Sequence, residues 1–169
     1  AATLAGLTED RREIILMDGL YHRQGISDRM SESDYIDLLM RFLRPWIDWR
    51  PYPGIVWVDS ANKLFRTGLR NEMIRSGISR FTVRPFDKTD GIDSRIMLNE
   101  TLLTQGRFRI AEHLKPWHEA YQMAVWDEKL YEKGIWARLD DGSCPIDALD
   151  SAEYAFYGFK RYVEDVKGL

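Results

Sequence analysis

The six residues GIVWVD, Gly54 to Asp59, constrain the fold more than any other stretch of the chain. They are apolar and rich in β-branched side chains up to the final acid, and the proline- and glycine-bearing RPYPG leads into them. A run of this kind reads as a buried strand. ANKLFRTGLRNEMIRSG follows after one serine and reads as a helix, with Gly77 as its C-terminal stop. A buried strand that feeds directly into a helix is the repeating unit of an α/β sheet.

The same alternation continues on both sides. The runs ATLAGL and EIILMDGL flank the charged TEDRR and predict an N-terminal β-hairpin. SESDYIDLLMRFLRPWI predicts a helix capped by Ser31 or Ser33, with Tyr35, Leu38, Leu39, Phe42 and Leu43 at helical spacing and a break at Pro45. RFTVRPF is a strand, GIDSRIMLNETLLTQG a helix ending at Gly106, and RFRI a very short strand. LKPWHEAYQMAVWDEKLYEKG reads as one amphipathic aromatic helix, RLDDGSCP as a solvated loop, and a last helix spans roughly Asp147 to Val166. The order predicts an α/β domain with a mixed sheet, in which the hairpin supplies antiparallel strands and the crossovers parallel ones. No repeat or linker interrupts residues 1–169, which read as a single domain.

Composition narrows the function classes. With 44% hydrophobic and 30% charged residues the chain is that of an ordinary globular protein, and no apolar run approaches the ~20 residues of a membrane span. The single cysteine, Cys144, excludes an internal disulfide and a multi-cysteine zinc site, which fits a reducing cytoplasm. The chain opens on AATLAGL without a methionine, as a piece of a longer protein would. The net charge of −3 is unevenly spread. From Lys63 to Arg95 eight basic residues face four acids, a local +4 that leaves −7 for the remainder. Two readings account for that segment: a nucleic-acid groove, or solvated helix faces.

Candidate chemistry rests on carboxylates. Ligands gather at the carboxyl ends of strands in open α/β sheets, and GIVWV delivers Asp59 to such an end. Asp59 either serves a site or caps the helix that begins near Asn62. CPIDALDSAEYAF places Asp147 and Asp150 three apart at a helix start, which suits a capping pair and equally puts two carboxylates on one face. Acids that converge need a cation, because like charges raise one another's pKa, and oxygen donors select magnesium or manganese. Asp18, at the end of the second hairpin strand, either approaches the site or begins a loop. His113 and His118 do not share a helical face, Ser60 and Ser151 have no histidine partner, and no phosphate-binding G-x-x-x-x-G-K-[ST] loop exists.

Taken in order, VWVDSANKLFRTGLRNEMIRSGISRFTVRPFDKTDGIDSRI, GRFRI, VWDE and PIDALDSAEYAFYGF resemble the C-terminal nuclease domain of phage large terminase subunits, over nearly the whole chain. The resemblance implies an RNase H-like fold, a mixed central sheet flanked by helices, and endonucleolytic cleavage of double-stranded viral DNA during packaging in the bacterial cytoplasm. It implies that Asp59, Asp147 and Asp150 bind magnesium or manganese, as two ions, and that Arg84, Lys88 and Arg95 contact DNA phosphates. Portal protein and small terminase subunit are the implied partners. The family's first catalytic aspartate would lie upstream of Ala1, and the packaging motor is a separate domain. A junction resolvase of the same superfamily, or a DNA-handling module without cutting activity, shares most of these features.

Overall fold

The computed structural model describes residues 1–22, 30–49, 53–86, 88–89 and 91–164. In chain order the elements are β1 (Ala2–Leu7), β2 (Ile14–Leu20), α1 (Glu32–Trp49), β3 (Gly54–Asp59), α2 (Lys63–Arg75), β4 (Phe81–Phe86), α3 (Gly91–Thr104), β5 (Phe108–Ile110), α4 (Lys115–Met123), α5 (Glu128–Tyr131), α6 (Ile146–Tyr157) and α7 (Lys160–Glu164). They form two compact units, Ala1–Tyr21 with Lys88–Leu169, and His22–Asp87. The architecture is mixed α/β.

In the first unit the predicted hairpin forms, with Leu7 opposite Ile14 and a register shift between Leu4 and Ala5. Its turn is closed by Thr8, whose hydroxyl accepts the Glu13 N–H (3.0 Å) and donates to Asp10 (2.6 Å). Strand β5 adds to β2 in parallel, so the order β1-β2-β5 is a small mixed sheet. The hairpin thus contributes the antiparallel pairing and the crossover the parallel one. One core joins this sheet to α3, α4 and α6 through Ile14, Leu16, Leu102, Phe108, Trp117, Leu149 and Phe156. Each large apolar side chain buried this way contributes about 1.5–3 kcal/mol.

In the second unit β3 and β4 pair in parallel, from Gly54 opposite Phe81 to Asp59 opposite Phe86. Helix α1 is capped by Ser31, whose Oγ accepts the Asp34 N–H while the Asp34 carboxylate accepts the Ser31 N–H. The capping box therefore uses aspartate in place of glutamate. Pro45 does not end α1. The buried stripe of Ile36, Leu39, Leu43 and Ile47 runs straight past it, and that packing offsets the roughly 3 kcal/mol an interior proline costs. The RPYPG break expected just beyond falls partly outside the described residues.

Two further expectations differ. The long aromatic helix is split into α4 and α5, with extended backbone at Ala124. Asp127 caps α5 by accepting the Leu130 N–H (3.1 Å), and residues 125–127 pair with 137–139. That pairing overrides the helical period. The last helix pauses at Gly158 and resumes as α7, and its expected end at Val166 lies outside the described residues.

A methyl added at Gly19 of β2 would overlap the buried ring of Trp117, so Gly19→Ala should lower stability by about 1–3 kcal/mol in urea unfolding with the fold retained. The cap of α1 gives a pH-dependent expectation. The hydrogen bonds from Ser31 hold the Asp34 carboxyl below the usual carboxylate range. A depressed acid contributes stability above its unfolded pKa and loses it as pH falls through the folded value. The stability gap between wild type and Asp34→Asn, clear at neutral pH, should therefore close under strong acid.

Candidate functional site

Helix α6 is built with two faces. At ~100° per residue, Ala148, Leu149, Ala152 and Phe156 turn into the core, and Asp147, Asp150, Tyr154 and Tyr157 form a polar stripe. Glu153 falls on the boundary between them and is completely buried. Pro145 occupies the N-cap without a side-chain cap bond, so neither aspartate caps the helix. The capping reading of D-A-L-D is thereby corrected: Asp147 lies exposed in the first turn, and Asp150 is half-buried one turn later.

A one-way hydrogen-bond chain fixes this helix start on the sheet. Trp117 Nε1 donates to Thr3 Oγ1 (2.8 Å), Thr3 and Ser151 share a 2.6 Å contact, and Ser151 Oγ donates to the Ala148 carbonyl (2.8 Å). With the Ser151 proton committed to Ala148 and the Trp117 proton to Thr3, the threonine is the donor between them. The start of β1 consequently runs beside the start of α6.

Beneath the stripe lies a chain of alternating charge. Arg138 Nη1 is 3.1 Å from Asp150 Oδ1, and Arg138 Nη2 donates to Glu153 Oε1. The other Glu153 oxygen is 3.1 Å from Arg95 Nη1. Burial pushes the Asp150 carboxyl up; the Arg138 and Arg95 guanidiniums pull against it, and Asp147 adds to the push. Burial likewise raises the Glu153 carboxyl against the same two arginines. Burial also drives the Tyr121 phenol above its ordinary range, and raises the Cys144 thiol, which leaves it protonated at neutral pH.

Asp59 ends β3 in the second unit, where its carboxylate accepts the Ala61 N–H (2.9 Å) and its carbonyl the Asn62 N–H (3.0 Å). It shapes the strand-to-helix turn, while Asn62 caps α2 by accepting the Phe65 N–H. Arg84 is exposed on β4. Lys88 is exposed in the first unit, its Nζ 5.7 Å from the Tyr154 ring centre. Arg95 departs from its expected role as an exposed phosphate contact: it is buried, paired with Glu153 and stacked 5.3 Å from the same ring. Other members of the basic segment are also tied locally, Arg70 to the Val83 carbonyl and Arg75 to Glu72. Asp18 sits 3.4 Å from His113 on the surface.

Among the described residues no group of three or more His, Cys, Asp or Glu side chains is arranged to hold a metal ion. Asp147 and Asp150 share one face of α6. Two carboxylates suit magnesium, which commonly keeps several waters and completes its shell with phosphate oxygens. A two-ion site needs more donors than α6 supplies.

Glu153 and Arg138 escaped the sequence reading, which placed Arg138 in a solvated loop. The available signal was the third acid in D-A-L-D-S-A-E, at the edge of the apolar face that carries Leu149 and Phe156. A carboxylate there demands buried cations. Because Arg138 has a side-chain exposure of 8% and Glu153 of 0%, removing Arg138 leaves Glu153 and Asp150 sharing one guanidinium fewer in a buried layer. Arg138→Met should destabilise the fold by about 3–5 kcal/mol in chemical unfolding, whereas Asp147→Asn on the surface should change stability by less than about 0.5 kcal/mol.

No family model matches the sequence, and no curated protein sequence matches it. Two solved structures of the large terminase from a thermophilic bacteriophage do match, crystal forms 2 and 3, each at 21% identity with TM-scores of 0.66 and 0.65. Each match covers 90% of this chain and 34% of the terminase chain, so this chain spans about a third of that length. At that identity the likeness is one of fold: the chain folds like a segment of a phage large terminase.

Proposed function

We propose that this chain is the DNA-cutting domain of a phage terminase, an RNase H-like, divalent-metal-dependent endonuclease that cleaves double-stranded viral DNA as the genome is packaged. The observation that carries the reading is the likeness in fold to large terminase over nine-tenths of the chain. The acid pair on one face of α6 supports it, since two carboxylates there could share a divalent cation.

In this reading Asp147 and Asp150 of α6 would hold magnesium or manganese, and Asp59 at the end of β3 is a further metal-binding candidate, as the resemblance implies. The metal, when bound, would activate water and neutralise charge on the leaving oxygen. The protein's own residues prepare that chemistry. Arg138 favours the ionised form of Asp150, the form a metal requires. Lys88, set over Tyr154 beside this carboxylate, would meet a backbone phosphate without reading sequence, and Arg84, exposed on β4, is a separate phosphate-contact candidate. Portal and small terminase subunit are the proposed partners.

A second reading, a DNA-handling module without cutting activity, is favoured by one observation: the described residues contain no cluster of three metal donors. Nicking of supercoiled plasmid in manganese separates the two, using the protein with any residues encoded ahead of Ala1 included. The nuclease reading expects nicking that Asp150→Asn reduces to the metal-free background. Folded protein that binds DNA but nicks no faster than Asp150→Asn would establish the module instead.

A further inference from the structure

We propose that Glu153 is a positioning residue, which through Arg138 fixes the orientation of the Asp150 carboxylate. Its functional weight rests on the nuclease reading above, but its geometry does not.

Burying Glu153 is costly. A fully buried carboxylate flanked by two buried guanidiniums is seldom the most stable filling for such a space, since apolar side chains of like volume often do as well or better. Stability alone therefore leaves Glu153 unexplained. The four charges alternate along one line, Arg95, Glu153, Arg138, Asp150, and three of them are buried. Asp150 alone opens to solvent, with 38% side-chain exposure. The line has one working end.

The fork of Arg138 transmits the position. Its two terminal nitrogens are used on different carboxylates, Nη2 on Glu153 and Nη1 on Asp150, so the guanidinium plane cannot turn without losing one of them. Its backbone is equally held: Trp126 and Arg138 form a β-bridge, Asp127 N–H donates to the Ala137 carbonyl and Leu139 N–H to the Val125 carbonyl, both at 2.9 Å. A lysine could carry the charge at this position but lacks the planar fork that fixes both carboxylates in one orientation. Groups that orient a metal-binding carboxylate typically change metal affinity 10–100-fold when altered.

The test is side-chain ¹⁵N NMR of Arg138 together with manganese binding followed by EPR. Wild type should show separate, slowly exchanging Arg138 Nη–H signals. Glu153→Gln should broaden them and weaken manganese binding about 10–100-fold. Should Glu153→Gln fail to fold, Arg138→Lys, which keeps the charge, should show the same loss of manganese affinity with native circular dichroism. Freely rotating Arg138 signals in wild type would overturn the proposal, as would a folded Arg138→Lys or Glu153→Gln that binds manganese as wild type does. Restrained signals that Glu153→Gln abolishes, in a protein that binds no manganese, would support the positioning while overturning the metal reading.

Discussion

The carboxylate of Glu153 dictates how the first unit is built. It has no contact with solvent, and an ion in that position is tolerated only with paired charges and good geometry. Two separate parts of the chain answer that demand. Helix α3 turns Arg95 inward together with Asn99, while Met97 and Leu103 remain exposed. The segment after α5 is pinned by backbone pairing so that Arg138 arrives from the other side. Neither arrangement would be favoured by the apolar pattern of its own segment.

That contrast between local pattern and distant demand separates what was legible in the sequence from what was not. Strands β1 to β5 read correctly because each is a short apolar or β-branched run between turn residues, so local pattern and final environment agree. Gly77 and Gly106 marked helix stops because both adopt positive φ, 71° and 66°, where a side chain is strained. The misread features are those in which distant packing outweighs local preference. Pro45 stays inside α1 because the buried stripe continues on both sides of it, and α4 parts from α5 because residues 125–127 pair with 137–139 instead. Arg95 looked like a surface cation because it lies in a basic segment. Nothing in its immediate neighbours announces a buried glutamate on another helix far along the chain.

For the site, the sequence located both aspartates of α6 but not the layer below them. The visible acids are close-spaced within one helix, and spacing alone puts them on a common face. The arginines that act against burial at Asp150 come from other elements. Asp59 illustrates the converse: its position at a strand end was evident, while its use of carboxylate and carbonyl to shape the next turn emerges only from the fold.

The ladder that closes residues 125–127 against 137–139 has a consequence for how the molecule can vary. The intervening positions, 128–136, hang from a neck whose two sides are already joined, so their number does not determine where Arg138 lands. A change of length within that tip would therefore leave the charged layer under α6 in register. The neck insulates an adaptable exterior from an interior that tolerates little change.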